Sequence, residues 1–421
     1  MSEEVNLENK SPEASSFYER HNVKQDTILI GGGIPFGIEQ VSNKELGIGG
    51  AYGAWGKSYD NANLPEFVES RTGQPWNEED KMELGDLGFV SRQHVPLLTQ
   101  EQNHQLELEV GTRLIKEAAQ SNGWEPSEVE GLLVGMSGPI SNDYLSEIAQ
   151  RAGIPDSALK VSVHKACDGS VGALNLALNP ELSQPGQLNV AEELRGKKVL
   201  VGGIEGLSRF IGMSQDKNAL QLFGNGFGMI GLIPGKTIKF LVGKSMEVFD
   251  DEGLLKVRMV YPHSMKAIGK LVDVVQEGAS YIRVAGLMHE PEDGSNISMA
   301  GLMGMVKLFV RNGVQAVTDV FSSYQKLMEQ VGTPEKKLVV AIVHHANYKI
   351  NKLKEKQLLK EGISFPMPWL LKDFGNVSAA SNMIAFLRQL PQIKPGDHIL
   401  FDGFGAGSYY DVLAVELGSN A

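Results

Sequence analysis

The chain has 421 residues, a formal net charge of −12 and one cysteine. That length holds a large core in two or more lobes, and one cysteine excludes an intramolecular disulfide and suits a reducing compartment. The acidic balance argues against a nucleic-acid binder, no apolar run approaches the ~20 residues of a membrane span, and the polar start is unlike a secretory signal, so a cytoplasmic protein is expected.

Residues 1–25 are polar and read as a loose tail. Strand-like runs follow at Thr27–Ile30, Gly131–Gly135, Val161–Val163, Val199–Gly202 and Met229–Ile233, with helical patterns at Glu107–Ala119 and Tyr144–Ala152 between them. Phe240–Phe249 and Leu254–Val260 read as a strand pair, Leu302–Leu327 as a long helix, and Lys337–Val343 as a strand before a Lys-rich helix from Tyr348. Ile399–Phe401 and Asp411–Leu417 close the chain as strands. Alternating strands and helices imply a layered α/β fold. The second half repeats the element order of the first, so two similar halves are expected to meet at a central site.

Cys167 stands where the strand ending at Val163 turns into an apolar helix beginning at Gly169. A lone cysteine is more often a small buried hydrophobe. At a helix N-terminus, however, the positive end of the dipole favours the nucleophilic thiolate. Two distant segments complete a constellation with it: Val343-His344-His345-Ala346-Asn347, and Phe374-Gly375-Asn376-Val377-Ser378-Ala379-Ala380-Ser381.

With Ala166-Cys167-Asp168-Gly169, these segments resemble the Cys-His-Asn active site of the thiolase-fold condensing enzymes, in particular ketoacyl-acyl-carrier-protein synthase III (KAS III). That family reads Ala-Cys-x-Gly, His-Gln-Ala-Asn and Gly-Asn-Thr-Ser-Ala-Ala-Ser at these places. Four flanking stretches carry the likeness further: Leu64–Gly73, Val199–Arg209, Leu222–Gly228, and Lys394–Asp397 with Gly403–Gly407.

The resemblance implies a thiolase-like α/β fold with two similar halves in an αβαβα arrangement. Residues 26–236 would carry the cysteine, and residues 237–421 the histidine and asparagine. It also implies a homodimer and a decarboxylative Claisen condensation. Cys167 would hold an acyl group as a thioester. Its backbone N–H and one from the turn at Gly405 and Ala406 would stabilise the oxyanion. His344 and Asn376 would donate to the enolate formed when a malonyl-type thioester loses CO₂, each contributing roughly 2–4 kcal/mol. CoA or acyl-carrier thioesters would be substrates, and neither a metal nor a redox cofactor is required.

The same likeness assigns substrate contacts to Phe67, Arg71, Lys217, Asn347 and Lys349. Phe67 replaces the family's adenine-stacking Trp, Lys217 stands for an arginine, and an acidic insertion, Gln74–Leu87, separates Arg71 from the arginine expected at Arg92. Asn225 and Phe227 replace the family's Asp and Ala, which alters packing near the dimer face. Lys349 opens a helix with Lys352, Lys354, Lys356 and Lys360, a basic face suited to an acidic acyl carrier protein or else simply solvated. The stretch Gly138–Asp143 lacks the aromatic that often closes the acyl pocket, which leaves room for a longer or branched chain. His164 and His345 read as structural. The alternative functions are acyl transfer or thioester hydrolysis without decarboxylation, a hydroxymethylglutaryl-CoA synthase-like reaction, and a non-catalytic scaffold subunit of an acyltransferase complex.

Overall fold

The computed structural model describes residues 24–138, 140–141, 143–183, 188–211, 217–247, 257–259, 273–277, 281–285, 289–291, 306–405 and 409–418. All but the last two residues of the expected tail lie outside this set.

Lys24–Ile30 (β1) and Ile34–Asn43 (β2) form an antiparallel hairpin, and Ile48–Trp55 (β3) continues it. Lys57–Asp60 (β4) reaches across two helices, Leu64–Thr72 (α1) and Glu78–Leu87 (α2), to pair with Ser91–His94 (β5). The helices and strands that follow are Gln100–Ser121 (α3), Gly131–Gly135 (β6), Tyr144–Ala152 (α4), Leu159–His164 (β7), Gly169–Leu178 (α5), Val190–Leu194 (α6), Val199–Glu205 (β8), Leu207–Ile211 (α7), Lys217–Leu222 (α8) and Gly226–Leu232 (β9). Next come Ile238–Glu247 (β10) and four short strands, Val257–Met259 (β11), Asp273–Glu277 (β12), Tyr281–Ala285 (β13) and His289–Pro291 (β14). A π-helical stretch, Val306–Asn312, runs into Gly313–Gln330 (α9). Leu338–Val343 (β15), Tyr348–Lys360 (α10), Ser381–Gln389 (α11), His398–Gly405 (β16) and Tyr409–Leu417 (β17) complete the chain.

The strands build two principal sheets, ordered β1-β2-β3-β9-β8-β6-β7-β13-β12 and β10-β17-β16-β15. Within the first, β3, β9 and β8 alternate direction while β8, β6 and β7 run parallel. The second repeats the scheme: β10, β17 and β16 alternate, and β16 and β15 are parallel. Helices α5 and α11 lie between the sheets and touch strands of both, whereas α3 covers the outer face of the first and α9 that of the second. This is the expected αβαβα layering of two similar halves. Because α5 is walled in by both sheets, all ten of its residues are buried, and its sequence, GSVGALNLAL, is correspondingly apolar on every side.

Two departures from the sequence reading stand out. The described parts of the 240–249 and 254–260 pair find other partners: β10 pairs with β17, and β11 pairs with β14. The hairpin β12–β13 belongs to the second half by sequence yet extends the first sheet, with β13 parallel to β7. Strands β2 and β3 were not anticipated, because glycines interrupt their pattern. Those in β3 are needed for close approach: a Cβ on Gly53 would lie 1.9 Å from the carbonyl oxygen of Gly37, and one on Gly50 2.3 Å from that of Met229. No helix among the described residues is long and apolar enough to cross a membrane.

Candidate active site

Strand β7, LKVSVH, is buried on both faces and ends against the turn that carries the cysteine. Ala166 takes φ +48°, and residues 166–168 make one 3-10 turn before α5 begins. A Cβ-bearing residue in the left-handed region costs roughly 1–2 kcal/mol, so the turn is held by its surroundings. From Ala158 to Asn179, Cys167 is the only residue that is not buried. No side chain caps the start of α5, which leaves its first N–H groups oriented toward the cysteine end of the helix.

The second half repeats this turn. Ser378 takes φ +45°, residues 378–380 form a 3-10 turn, and α11 follows. Ala166 and Ser378 are the only non-glycine residues with positive φ among those described. The two turns meet: Ser378 Oγ donates to Cys167 Sγ at 3.2 Å. The same Ser378 uses its backbone N–H to bond Asn376 Oδ1 at 2.9 Å, and Asn376 Nδ2 donates to the carbonyl of Ala346 at 3.2 Å. The three predicted motifs are thus joined by consecutive hydrogen bonds.

His344 follows β15, its N–H bonded to the Asp402 carbonyl at 2.9 Å and its ring edge-on to Phe404. Burial, with the neighbouring His345 and Lys354, pushes its pKa down to about 3. It is therefore neutral at physiological pH and a poor base, yet still a donor at one ring nitrogen. His345 has both nitrogens engaged, Nδ1 with the Val343 carbonyl and Nε2 accepting from the Leu370 N–H, each at 2.8 Å. His164 is buried against Ser162.

Behind the cysteine lies a buried charge cluster that the sequence reading missed. Lys165 Nζ bonds Asp411 at 2.5 Å and Ser245 Oγ at 3.0 Å, and Asn175 Nδ2 donates to the other Asp411 oxygen at 2.7 Å. Lys354 Nζ bonds Asp402 at 2.7 Å. Burial first, then the Asp411 carboxylate, raises Asp168 well above the usual carboxyl range. Both effects favour the protonated form of Asp168 beside the Asp411 carboxylate.

On the other side, Ser137 Oγ lies 2.7 Å from Ser378 Oγ and 2.8 Å from Glu205 Oε1 at the end of β8. The backbone N–H groups of Ser137 and Ala379 also donate to Glu205 Oε1. Burial outweighs these donors and Arg209 and pushes Glu205 up to about 8.

The candidate substrate contacts are more scattered. Gly405 approaches the cysteine turn so closely that a Cβ would lie 2.4 Å from the Lys165 carbonyl oxygen and 3.2 Å from the Cys167 nitrogen. Ala406 lies outside the described residues, as do two of the residues in the 138–143 stretch. Asn347 caps α10, accepting from the Ile350 N–H at 2.8 Å. Phe67 is enclosed rather than displayed, stacked on His94 at 4.8 Å with the Arg71 guanidinium over its ring at 5.2 Å. Arg71 donates to the Val95 carbonyl, and Arg92 is fully buried on Asn61.

The 74–87 insertion is α2, started by a capping box between Asn77 and Asp80. Its acids hold both candidate lysines: Asp80 bonds Lys217 and Asp86 bonds Lys349, each at 2.7 Å. Lys354 does not belong to the expected basic face. Together with Ile350 and Leu358 it forms the buried stripe of α10.

Residues 328–417, which carry His344 and Asn376, match the profile described as 3-oxoacyl-(acyl-carrier-protein) synthase III C terminal. The β-ketoacyl-acyl-carrier-protein synthase III 1 of Halalkalibacterium halodurans is 26% identical over 307 residues, covering 72% of this chain and 80% of that protein. A synthase III of Vesicomyosocius okutanii is 28% identical over 224 residues, 52% of this chain and 58% of that protein. The crystal structure of the Pseudomonas aeruginosa PAO1 3-oxoacyl-acyl-carrier-protein synthase III aligns with TM-score 0.58 at 18% identity, covering 86% of this chain and 94% of the other. The type III polyketide synthase 1,3,6,8-tetrahydroxynaphthalene synthase of Streptomyces coelicolor aligns with TM-score 0.58 at 12% identity, covering 87% and 97%. These two structures establish a thiolase-like α/β fold, and the C-terminal match together with the two sequence relatives makes the chain similar to the KAS III enzymes.

Proposed function

We propose that this enzyme is an acyltransferase that carries out a decarboxylative Claisen condensation, transferring an acyl group from Cys167 to a malonyl-type thioester to give a β-ketoacyl thioester. The observation that carries this reading is the placement of Cys167, the one accessible residue of its segment, at the start of α5 with a hydroxyl donating to its sulfur. The neutral state of His344 favours hydrogen-bond donation to an enolate over general-base catalysis. That counts against the readings in which His344 would activate an alcohol or water. Asn376 would supply a second donor, and the backbone near Gly405 part of the oxyanion site. Thioesters of CoA or an acyl carrier protein are the proposed substrates, a homodimer the proposed assembly, and no metal or redox group the proposed requirement.

Intact-protein mass spectrometry after exposure to a panel of acyl-CoAs and acyl carriers tests this directly. The expected result is one acyl adduct on wild type, none on Cys167→Ala, and discharge by a malonyl thioester with release of a β-ketoacyl product. Discharge to water or an alcohol at equal rate would sink the condensation reading.

A further inference from the structure

The proposed chemistry uses Cys167, His344 and Asn376 and leaves unexplained a buried glutamate connected to the sulfur by two hydroxyls. The connection has no gap: Sγ to Ser378 Oγ is 3.2 Å, Ser378 Oγ to Ser137 Oγ 2.7 Å, and Ser137 Oγ to Glu205 Oε1 2.8 Å. Cys167 and Ser378 sit in the two matching turns, Ser137 follows β6 by two residues, and Glu205 ends β8. We propose that Cys167, Ser378, Ser137 and Glu205 form one proton-sharing chain in which a proton on Glu205 orients both hydroxyls toward the sulfur and holds Cys167 as its thiolate.

A chain of two hydroxyls between two acids has two internally consistent arrangements when it carries one transferable proton. In the first, the thiol donates to Ser378, Ser378 to Ser137, and Ser137 to the Glu205 carboxylate. In the second, Glu205 donates to Ser137, Ser137 to Ser378, and Ser378 to the thiolate. Passing between them breaks the S–H bond, forms O–H at Ser378, moves its former proton to Ser137 and that of Ser137 to Glu205 Oε1. Charge and protons balance with no further reactant. When the acyl-enzyme is resolved and Sγ leaves as thiolate, the reverse passage restores the thiol.

Burial raises Glu205 to about 8, so its carboxyl can hold a proton at neutral pH and hand it back along the chain. The groups facing Glu205 are few. Among the described residues they are Arg209, which follows its own strand, and the Tyr144 phenol of α4. Arg209 is held by Glu107 at 2.8 Å, which leaves Glu205 without an ion-pair partner among the described residues. Strand β9 and helix α5, which also pack on β8, carry no titratable side chain.

This inference rests on Cys167 as the nucleophile, and its test needs no substrate, so it fails or stands separately from the condensation. Cys167 is the only cysteine, so iodoacetamide alkylation followed by intact mass reads this one thiol. Coupled acids titrate in two steps that belong to the pair. Between pH 5.5 and 10, the wild-type rate is expected to rise in two steps joined by a shallow region. Glu205→Gln is expected to give a single step of unit slope, its midpoint at least one pH unit below the wild-type upper step. Ser378→Ala, which removes the donor at sulfur, should lower the rate at pH 7 at least tenfold. Ser137→Ala, which cuts the chain without touching either acid, should collapse the two steps toward one. Circular dichroism of each variant confirms the fold, and a structural role alone does not change the number of titration steps. A single wild-type step superimposable on that of Glu205→Gln would overturn the proposal and leave the helix terminus as the source of thiol activation.

Discussion

Glu205→Gln also gives a thermodynamic prediction that follows from burial. The folded carboxyl titrates near 8 and the unfolded one near 4.5, so the folded state binds more protons throughout that window. For a raised acid the sign is that stability falls as pH climbs from the unfolded to the folded value and levels off above it. Between pH 5 and pH 8 the glutamate should remove about 3–4 kcal/mol from wild type that it does not remove from the glutamine variant. Glutamine keeps an oxygen for the Ser137 donors, so the comparison isolates ionisation from hydrogen bonding. His344, His345 and His94, all pushed down to about 3 by burial, give the opposite slope below pH 6.5, but they do so in both proteins and cancel. Urea unfolding of the two proteins side by side at pH 5, 6.5 and 8 is the assay. A stability difference that stays constant within 1 kcal/mol across that range would refute the argument that burial governs this carboxyl.

Asp411→Asn should destabilise by roughly 3–5 kcal/mol, because it leaves the Lys165 ammonium buried without its counterion, whereas Asp168→Asn replaces an already neutral group and should cost under about 1 kcal/mol in the same urea titration. Ala166→Gly removes a Cβ at φ +48° and is expected to raise Tm by an amount corresponding to about 0.5–1 kcal/mol; an unchanged or lower Tm would mean that the turn is unstrained. Asp80→Asn frees the Lys217 ammonium from α2 at a stability cost of about 1 kcal/mol. If Lys217 meets a substrate phosphate, KM for a CoA thioester should fall while kcat holds, and an unchanged KM would remove Lys217 from the binding site.

The three motif segments were legible in the sequence because each packs short-range chemistry into a few residues: cysteine before a small-residue helix, histidine after a β-branched strand, asparagine before a second small-residue helix. What joins them was not. Ser378 lay in plain view inside the third motif, but its contact with Cys167 depends on two turns 211 residues apart meeting. Glu205 and Ser137 are likewise 68 residues apart in sequence. Lys354 was misread from charge count alone. The spacing Ile350, Lys354, Leu358 is a helical stripe, and reading phase before charge would have turned it inward. The pairing of β10 failed for a related reason: local sequence suggests a neighbour, while the sheet supplies β17 from the far end of the chain.

The buried cluster explains how the cysteine turn stays in place without opposing the proposed role of Cys167 as nucleophile. Three carboxyls and two ammoniums meet there: Asp168, Asp402 and Asp411 with Lys165 and Lys354. Fully ionised, they would leave one uncompensated negative charge behind Cys167 and oppose thiolate formation. With Asp168 protonated the group is electroneutral, and with His344 and His345 also neutral, this cluster sets no net charge against the helix N–H groups and the Ser378 hydroxyl at Sγ. The same contacts fix geometry. Lys165 is tied to β17 on one side of Ala166, and on the other Asp168 packs so tightly on β16 that a Cβ at Gly403 would lie 2.0 Å from its Oδ1. Restraint on both flanks is what a left-handed alanine requires. An apolar replacement of comparable volume could match this cluster in stability. It could not grip the turn at two defined points, and that grip, more than stability, is the reason for charge in the core beside Cys167.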